Sequence, residues 1–470
     1  MNNTIQRSSF RSRYFGDKAF YRMVLTVAVP IMVQNGITNF VSLLDNIMIG
    51  RIGTEQMSGA AIVNQLLFVF YLCMFGGMSG AGIFTAQYYG QKDHEGVRQT
   101  TRYKFWLGLI LTVLAIVILL AKGNALIRLY LQGEGTAEAV AATLMYSKKY
   151  LFIMLAGLPA FMLGQVYAST LREGGETMLP MKAGVTAVLV NLVFNYLLIY
   201  GKLFFPKMGV SGAAVATVLS RYVEMIIIIV WTHRHTDQQP FAKGLFSTLK
   251  VPSRLVKKIL VKGTPLLLNE ALWSGGVAML TQCYSMRGLN VVAGINISNT
   301  IGNLFNVVFI ALGDCVAIIV GQLLGQGKME EAKDTDRKMI VFSVLCCTGV
   351  ALVLIAVAPL FPRLYNTNEE ARYLARCFIT ITAVFMPQNA FLHATYFTLR
   401  SGGKTIITFL FDSVFMWCVS VVLAYTLTRF TSIHVIWVYT AVQAADLIKC
   451  VIGYILVKKG VWLNNIVSDL

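Results

Sequence analysis

The sequence predicts an all-α membrane protein with twelve transmembrane helices, arranged as two six-helix bundles that are parallel repeats of one unit. Two observations predict this fold. Of the 470 residues, 56% are hydrophobic and 13% are charged, with a mean hydropathy of +0.65, which leaves too little polar surface to cover a soluble core. In addition, long motifs of the first half recur in the second half.

Predominantly apolar segments follow one another along the chain. A helix needs about 20 such residues to cross the hydrocarbon core of a bilayer. The segments are residues 24–49, 58–83, 103–121, 149–171, 182–201, 210–232, 262–285, 291–324, 339–361, 374–399, 405–427 and 433–457. The predicted domains are therefore residues 1–240 and 259–470, joined by a cytoplasmic linker at residues 241–258.

Two motifs carry the repeat. PAFMLGQVYASTLREGGET, at residues 159–177, returns as PQNAFLHATYFTLRSGGKT, at residues 387–405. QYYGQKDHE, at residues 87–95, returns as QLLGQGKME, at residues 322–330. The longer motif predicts an apolar helix that ends in an Arg reaching water, then a Gly-Gly turn, then a Thr that caps the next helix.

The net charge of +18 would suit a nucleic-acid partner, but its distribution indicates membrane topology instead. Alternate connections and both tails hold most of the 40 Lys and Arg residues, which predicts that both termini are cytoplasmic. The start of the chain, with Arg7 and Arg11, is a basic tail rather than a cleaved signal peptide. An even number of helices in each half makes the repeats parallel, with a cavity between them.

The connection from Arg234 to Lys262 leaves two alternatives open. Its sequence FSTLKVPSRLVKKILVKG suits an amphipathic helix attracted to anionic lipid, and it suits a solvated linker equally well.

No cofactor site is predicted. The eight cysteines show no CxxC spacing and are interpreted as small core residues. Gly403-Lys404-Thr405 resembles the end of a phosphate-binding loop, but Thr398 occupies the position of that loop's first glycine. An ion gradient is therefore the expected energy source.

Ionisable residues inside apolar segments are costly, at about 2.5–3.5 kcal/mol each at a helix centre, and so indicate function. Arg221 and Glu224, three residues apart, are interpreted as a structural pair. The acids singled out on this ground are Asp45, Glu270, Asp314 and Asp412.

Asp45 has polar company in its own half. Asn191 and Asn195, four residues apart, share one helix face, and Thr217 follows on the next helix. One hypothesis is an oxygen cage for a hard cation such as sodium, at Asp45, Asn191 and Asn195. A second is a proton carrier, because an apolar pocket disfavours a charged carboxylate. Helix-packing hydrogen bonds would explain the Asn residues but not Asp45.

The chain resembles the multidrug and toxic compound extrusion (MATE) family. The residues that carry the resemblance are PIMVQN and LLDNIMIGRIG in the first helix, QYYGQ, NLVFNYLLIYG and the twinned LREGGET and LRSGGKT motifs. The resemblance implies a monomeric inner-membrane antiporter in the lipid bilayer, with no nucleic-acid partner. It would export amphipathic, often cationic small molecules against entering Na⁺ or H⁺.

The resemblance also assigns residues. Asp45, Asn191, Asn195 and Thr217 fall on the ion site of the first bundle. Glu270 falls on an acid of the seventh helix, and it forms with Gln34 and Asn389 the candidate set for substrate or a second ion. Asn195 and Asn389 stand where other branches of the family carry Asp, so neither branch's ion scheme transfers whole.

Two other functions are weighed against export. Related families flip lipid-linked saccharides, but a polyanionic headgroup would favour interior Lys or Arg, whereas the basic residues here are expected at helix ends. A membrane-embedded enzyme would need a nucleophile with a base, or clustered metal ligands, and the sequence shows neither.

Overall fold

The computed structural model describes residues 13–131, 136–365 and 367–468, and these residues contain helices and no β-strand. Arg7 and Arg11 of the predicted tail lie outside them. The long helices are α1 Lys18–Gly50, α2 Thr54–Gln91, α3 His94–Tyr130, α4 Ala137–Leu155, α5 Leu158–Glu173, α6 Met178–Tyr200, α7 Val210–Arg234, α8 Ser253–Ser285, α9 Leu289–Gly325, α10 Met329–Val357, α11 Glu369–Ser401, α12 Thr405–Phe430 and α13 Val435–Lys459.

These helices cover every predicted apolar segment. Within the described ranges, ten helices are long and apolar enough to cross a membrane, and α4 with α5, bent by 46° against each other, forms an eleventh candidate span. Helix α8 covers the remaining segment, and polar residues in its middle, among them Asn269 and Glu270, leave it less apolar. The all-helical membrane fold is confirmed.

The two Gly-Gly turns have the same backbone in both halves. Gly174 and Gly402 keep φ angles of −76° and −85°, whereas Gly175 and Gly403 adopt 89° and 72°. A residue with a Cβ atom is strained at such positive φ values. The second glycine of each pair therefore makes the turn.

Two expectations for this motif are wrong. Thr177 makes no capping hydrogen bond through its side chain; the Glu176 carboxylate instead accepts from the backbone N–H of Leu179 at 2.9 Å, and Thr405 is already the first residue of α12. Arg400 does not reach water, since it is only 9% exposed. A buried guanidinium needs anionic or polar neighbours, which the second half supplies.

The chain forms two compact units, which do not follow the sequence halves. The first unit contains Val33–Thr85 and Asp93–Gly263. The second contains Thr264 onwards, the chain up to Met32, and the short stretch Ala86–Lys92. The boundaries predicted from the repeat remain a prediction.

The connection between the halves is packed against α3 in the first unit. Arg102 donates from Nε to the carbonyl of Leu245 at 2.8 Å, and Trp106 donates to the carbonyl of Leu249 at 3.0 Å. Phe241 is fully buried. From Ser253 onwards the connection belongs to α8, so it forms no separate helix, and residues 246–250 before α8 are exposed. The choice between a lipid-facing and a solvated connection stays a prediction.

The segment after α13 packs on the QYYGQ and QLLGQ segments inside the second unit. The Gln87 amide donates to the carbonyl of Asn464 at 3.1 Å, and the Asn465 amide donates to the carbonyl of Gly325 at 3.0 Å. Trp462 is completely buried. A Cβ atom at Gly402 would overlap the Trp462 carbonyl oxygen, so a glycine there permits this close approach.

Candidate functional site

Four predicted residues meet in the first unit. Asn195 Nδ2 donates to Asp45 Oδ1 at 2.6 Å and to Asn191 Oδ1 at 3.0 Å. Asn191 Nδ2 donates to Thr217 Oγ1 at 3.2 Å. The four-residue spacing of the two Asn residues places them on one face of α6, and small buried residues at the start of α7, such as Ala213, let the helices approach closely. We call these four residues the first cluster.

The first cluster contains oxygens that lack donors. Both Asp45 oxygens lie 3.1 Å from the Asn191 amide oxygen, so acceptors face acceptors. Rotating that amide by 180° would let it donate to Asp45. Rotation would also bring its nitrogen against the Asn195 nitrogen, and it would need the Thr217 hydroxyl, which already donates to the Ala213 carbonyl at 3.0 Å. Either orientation leaves one contact unsatisfied.

Asn195 shows the same shortage of hydrogen-bond donors. It is 1% exposed, and its Oδ1 is buried with no hydrogen-bond partner among the side chains that the structure describes. A buried amide oxygen without a donor costs about 1–3 kcal/mol. A hard cation, or a proton on Asp45, would supply the missing positive charge or donor.

A tyrosine absent from the predicted set also faces this cluster. Tyr150 of α4 is 3% exposed, interacts electrostatically with Asp45, and donates to Asn64 Oδ1 at 3.4 Å. It lies in an apolar segment, where sequence alone does not distinguish a lining tyrosine from a packing one.

A second group of polar residues lies in the second unit. Asn269 Nδ2 of α8 donates to Asp412 Oδ2 at 3.0 Å, and the Ser413 hydroxyl fixes the Asn269 oxygen at 2.7 Å. The Lys449 ammonium of α13 lies 3.8 Å from Asp412 Oδ1 and 3.4 Å from Asp446 Oδ1. The stretch Leu410–Val414 of α12 is π-helical, a distortion common at functional sites.

Glu270 belongs to the same region. It interacts electrostatically with Arg400, Asp412 and Asp314. The buried Arg400 guanidinium lies 5.0 Å from the ring centre of Phe397. We call the following residues the second cluster: Asn269, Glu270, Arg400, Asp412, Asp446 and Lys449.

Gln34 and Asn389 are half-buried and lie apart from these contacts. Gln34 faces Gly184 of α6, where an added Cβ would lie 2.9 Å from its amide nitrogen. In the described part of the chain, neither side chain is hydrogen bonded to Asp45 or Glu270. Their assignment to substrate or a second ion stays a prediction. Arg221 and Glu224 pair at 3.1 Å, as expected.

Sequence reasoning missed Asp446 and Lys449. They stand three residues apart in α13, which is the spacing of an ion pair, and this spacing was the available signal. The expectation that basic residues lie at helix ends is wrong for Lys449, which is buried within α13. The described residues contain no group of three His, Cys, Asp or Glu side chains able to hold a metal ion.

Comparisons with known proteins agree with the geometry. The MatE family profile matches residues 30–197 and 265–426. Probable multidrug resistance protein NorM of Thermotoga maritima is 24% identical over 444 residues, covering 93% of this chain and 92% of the relative. Probable multidrug resistance protein YoeA of Bacillus subtilis is 24% identical over 442 residues, with 92% of each chain covered.

Solved structures share the fold. A crystal structure of the Vibrio cholerae MATE transporter VcmN, in a variant form, matches with a TM-score of 0.84 at 16% identity, covering 95% of this chain and 98% of that chain.

Proposed function

The chain belongs to the MatE family of membrane transporters, and we propose that it is a cation-coupled antiporter that exports small amphipathic molecules, many of them cationic, by alternating access. Members of this family are transporters rather than enzymes, and the protein is a multi-pass membrane protein. The multidrug resistance proteins among its relatives support the export of drugs or similar metabolites.

The observation that carries the proposal is the unsatisfied oxygen set of the first cluster. Asp45 faces the Asn191 oxygen at 3.1 Å, and the Asn195 oxygen lacks a donor. Na⁺ would bind the three oxygens directly. H⁺ on Asp45 would let the carboxyl group donate to Asn191. Both ions complete the same cluster, and the transport experiment decides between them.

The proposal includes the surroundings of the transporter. It is a monomer in the cytoplasmic membrane with both termini in the cytoplasm, as the distribution of Lys and Arg favours. It uses no cofactor and no nucleic-acid partner.

The buried cations of the second cluster are the observation that would favour a flippase for lipid-linked saccharides. Each lies beside acids, however: Lys449 contacts Asp412 and Asp446, and Arg400 interacts with Glu270. Cations neutralised in this way leave no excess positive charge for a polyanionic headgroup. The cluster therefore supports export of neutral or cationic compounds.

The test is export by the wild type and by Asp45→Asn in proteoliposomes, with a fluorescent organic cation and imposed Na⁺ or pH gradients. Asn keeps the shape of Asp and removes its ionisation, so gradient-driven export should be abolished while the protein stays folded. Glu224→Gln is the matched control, because it removes an acid of the same unit that lies outside the first cluster.

The two gradients identify the coupling ion, since only the coupled gradient should drive export by the wild type. Near-normal export by Asp45→Asn, with normal ion dependence, would contradict ion coupling through Asp45. Loss of export in Glu224→Gln as well would show that any lost acid is damaging.

A further inference from the structure

Asp336, in α10, is a buried acid that the proposed coupling mechanism does not use. It is 1% exposed, and it lies about 10 Å along the helix from Met329, at 1.5 Å per residue. Its Oδ1 lies 2.5 Å from the Thr398 hydroxyl of α11. Its Oδ2 is buried and has no hydrogen-bond partner among the residues that the structure describes. One oxygen of a fully buried carboxyl group is thus unsatisfied.

The positive charge near Asp336 is engaged elsewhere. Arg337, the next residue, is the charged group that acts on Asp336, but its guanidinium lies 3.9 Å from Asp334 and 6.0 Å from the Tyr14 ring centre. Helices α9, α11 and α1 pack against α10, the last through Tyr21, whose ring centre lies 5.2 Å from that of Phe342. The charged groups Asp314 of α9 and Arg400 of α11 act on Glu270. Lys18 and Arg22 of α1 form no ion pair with Asp336 among the described residues. No ion pair within the described residues neutralises Asp336.

Proton counting also indicates a neutral carboxyl group. The Thr398 hydroxyl has a single proton and two acceptors, the Ala394 carbonyl at 2.9 Å and Asp336 Oδ1 at 2.5 Å. If the proton goes to Ala394, the short contact to Asp336 requires a proton on the carboxyl group. If it goes to Asp336 instead, an ionised carboxylate keeps one bare oxygen in the interior, which is costly.

The first half of the repeat has no acid at the position that corresponds to Asp336. Extending the register of QYYGQ and QLLGQ pairs Thr101 with Asp336, and the longer motif pairs Thr170 with Thr398. The two hydroxyls of Thr101 and Thr170 are 3.4 Å apart. The first half therefore has a neutral hydroxyl pair where the second half has an acid and a hydroxyl.

The same registers show that the second half lacks a neighbouring ion pair. In the first half the fully buried Lys104 forms an ion pair with Glu173. The corresponding residues of the second half are Met339 and Ser401, which carry no charge. At this place the second half therefore has an acid, Asp336, and lacks the cation that the first half has in Lys104.

We propose that Asp336 is a proton-binding site, protonated while α10 and α11 enclose it and ionised when the start of α10 becomes accessible to water during transport. The proton comes from that water and returns to it, so no further reactant is needed. The part that concerns transport rests on the proposed export function.

Three variants test the site. Asp336→Asn keeps the shape and removes the titration, and Asp336→Thr restores the hydroxyl pair of the first half if the Asn variant does not fold. Glu331→Gln is the matched control, because Glu331 lies in the same helix, is 55% exposed in its side chain, and pairs with Lys328 at 3.1 Å rather than with Arg337.

Infrared spectroscopy of the purified protein at neutral pH gives the direct result. The carbonyl band of a protonated carboxyl group should be present in the wild type and in Glu331→Gln, and should lose intensity in Asp336→Asn or Asp336→Thr. An unchanged band in the Asp336 variants would overturn the proposal.

Thermal stability against pH gives an independent result. The folded protein holds a proton that the unfolded chain releases, so the contribution of Asp336 to stability falls as pH rises above the range in which an exposed Asp titrates. The contribution of Asp336 to this slope should vanish in the Asp336 variants and persist in Glu331→Gln. Equal slopes in all proteins would overturn the proposal.

Export separates this inference from the function of Asp45. Asp45→Asn should abolish gradient-driven export at every pH, whereas Asp336→Asn should leave export and flatten its pH profile. A profile like that of the wild type would remove Asp336 from the transport cycle. If none of the proteins exports, the infrared and stability results still decide whether Asp336 holds a proton.

Discussion

The two halves of the repeat share their turns but differ in their polar interiors. The hydrogen-bonded members of the first cluster are one acid, two amides and one hydroxyl. The second cluster has three acids, and it also includes two cations, Arg400 and Lys449. One cluster lacks positive charge, whereas the other contains its own.

Because of this difference in charge, we expect the two clusters to have different roles in transport. Neither orientation of the Asn191 amide supplies a donor to the buried Asn195 oxygen, which has none among the described residues, and this favours binding of an external cation or proton. In the second cluster the side chains already neutralise one another, so an entering ion would gain less. On the proposed function, we expect ion coupling in the first cluster and structural or substrate contacts in the second.

The largest expected effect comes from removing the Asn195 side chain from the first cluster. Asn195→Ala removes both the amide oxygen that would bind Na⁺ and the donor that lies 2.6 Å from Asp45. If Na⁺ drives export, loss of about 1.4 kcal/mol of binding energy would raise the half-saturating Na⁺ concentration by roughly 10-fold. If H⁺ drives export, the half-saturating H⁺ concentration should fall instead, because the lost donor had stabilised the ionised carboxylate. Export rates measured over a series of ion concentrations check this.

Asn269→Ala is the matched change in the second cluster, where Asn269 donates to Asp412 at 3.0 Å. It should leave the ion dependence of export unchanged. A shift as large as that of Asn195→Ala would mean that both clusters bind the coupling ion, and the proposed contrast between them would be wrong.

A smaller effect concerns the internal cation of the second cluster. Lys449→Met leaves Asp412 and Asp446 without their ammonium partner. Breaking a fully buried pair costs about 3–5 kcal/mol. Because Asp412 and Asp446 are 23% and 21% exposed, we expect a loss of about 2 kcal/mol in unfolding free energy. Thermal unfolding in detergent measures the loss.

The double variant Lys449→Met with Asp412→Asn sharpens the result. Removing one acid together with the cation should restore part of the lost stability, because fewer uncompensated charges remain. By contrast, Asp45→Asn should not destabilise the first cluster, since it removes a membrane-buried charge that has no basic partner there. No recovery in the double variant would show that Lys449 acts through packing alone.

The helices and the first cluster were predictable from the sequence, because local patterns specify them. Apolar segments of spanning length define the helices, and Asp45 stands out within such a segment. Asn191 and Asn195 share a face through their spacing alone. The resemblance to a known family then supplied the grouping that the structure shows.

The second cluster and Asp336 were not predictable in the same way. Asp336 lies in the charged stretch EEAKDTDRK, which suggests a solvated helix start, and only its packing against α11 shows that it is buried. The burial of Arg400 depends on contacts between segments far apart in the chain. Such pairings are tertiary, and local sequence patterns do not specify them.

The smallest expected effect concerns how much each of the two Gly-Gly turns contributes to the unfolding free energy. Gly174 and Gly402 have φ angles of −76° and −85°, which alanine adopts without strain, so the backbone term cancels between them. At Gly402, however, a Cβ atom overlaps the carbonyl oxygen of Trp462, a fully buried residue of the C-terminal segment. This contact joins the second turn to the C-terminal segment.

Gly402→Ala should therefore lower the unfolding free energy by about 1–3 kcal/mol, the usual cost of overpacking. Gly174→Ala should change it little, or raise it by about 0.4–1 kcal/mol through lower entropy of the unfolded chain. Thermal unfolding of both variants in one detergent gives the difference. Equal unfolding midpoints for the two variants would mean that the segment around Trp462 moves aside at little cost. The close contact at Gly402 would then add little to the stability of the second half.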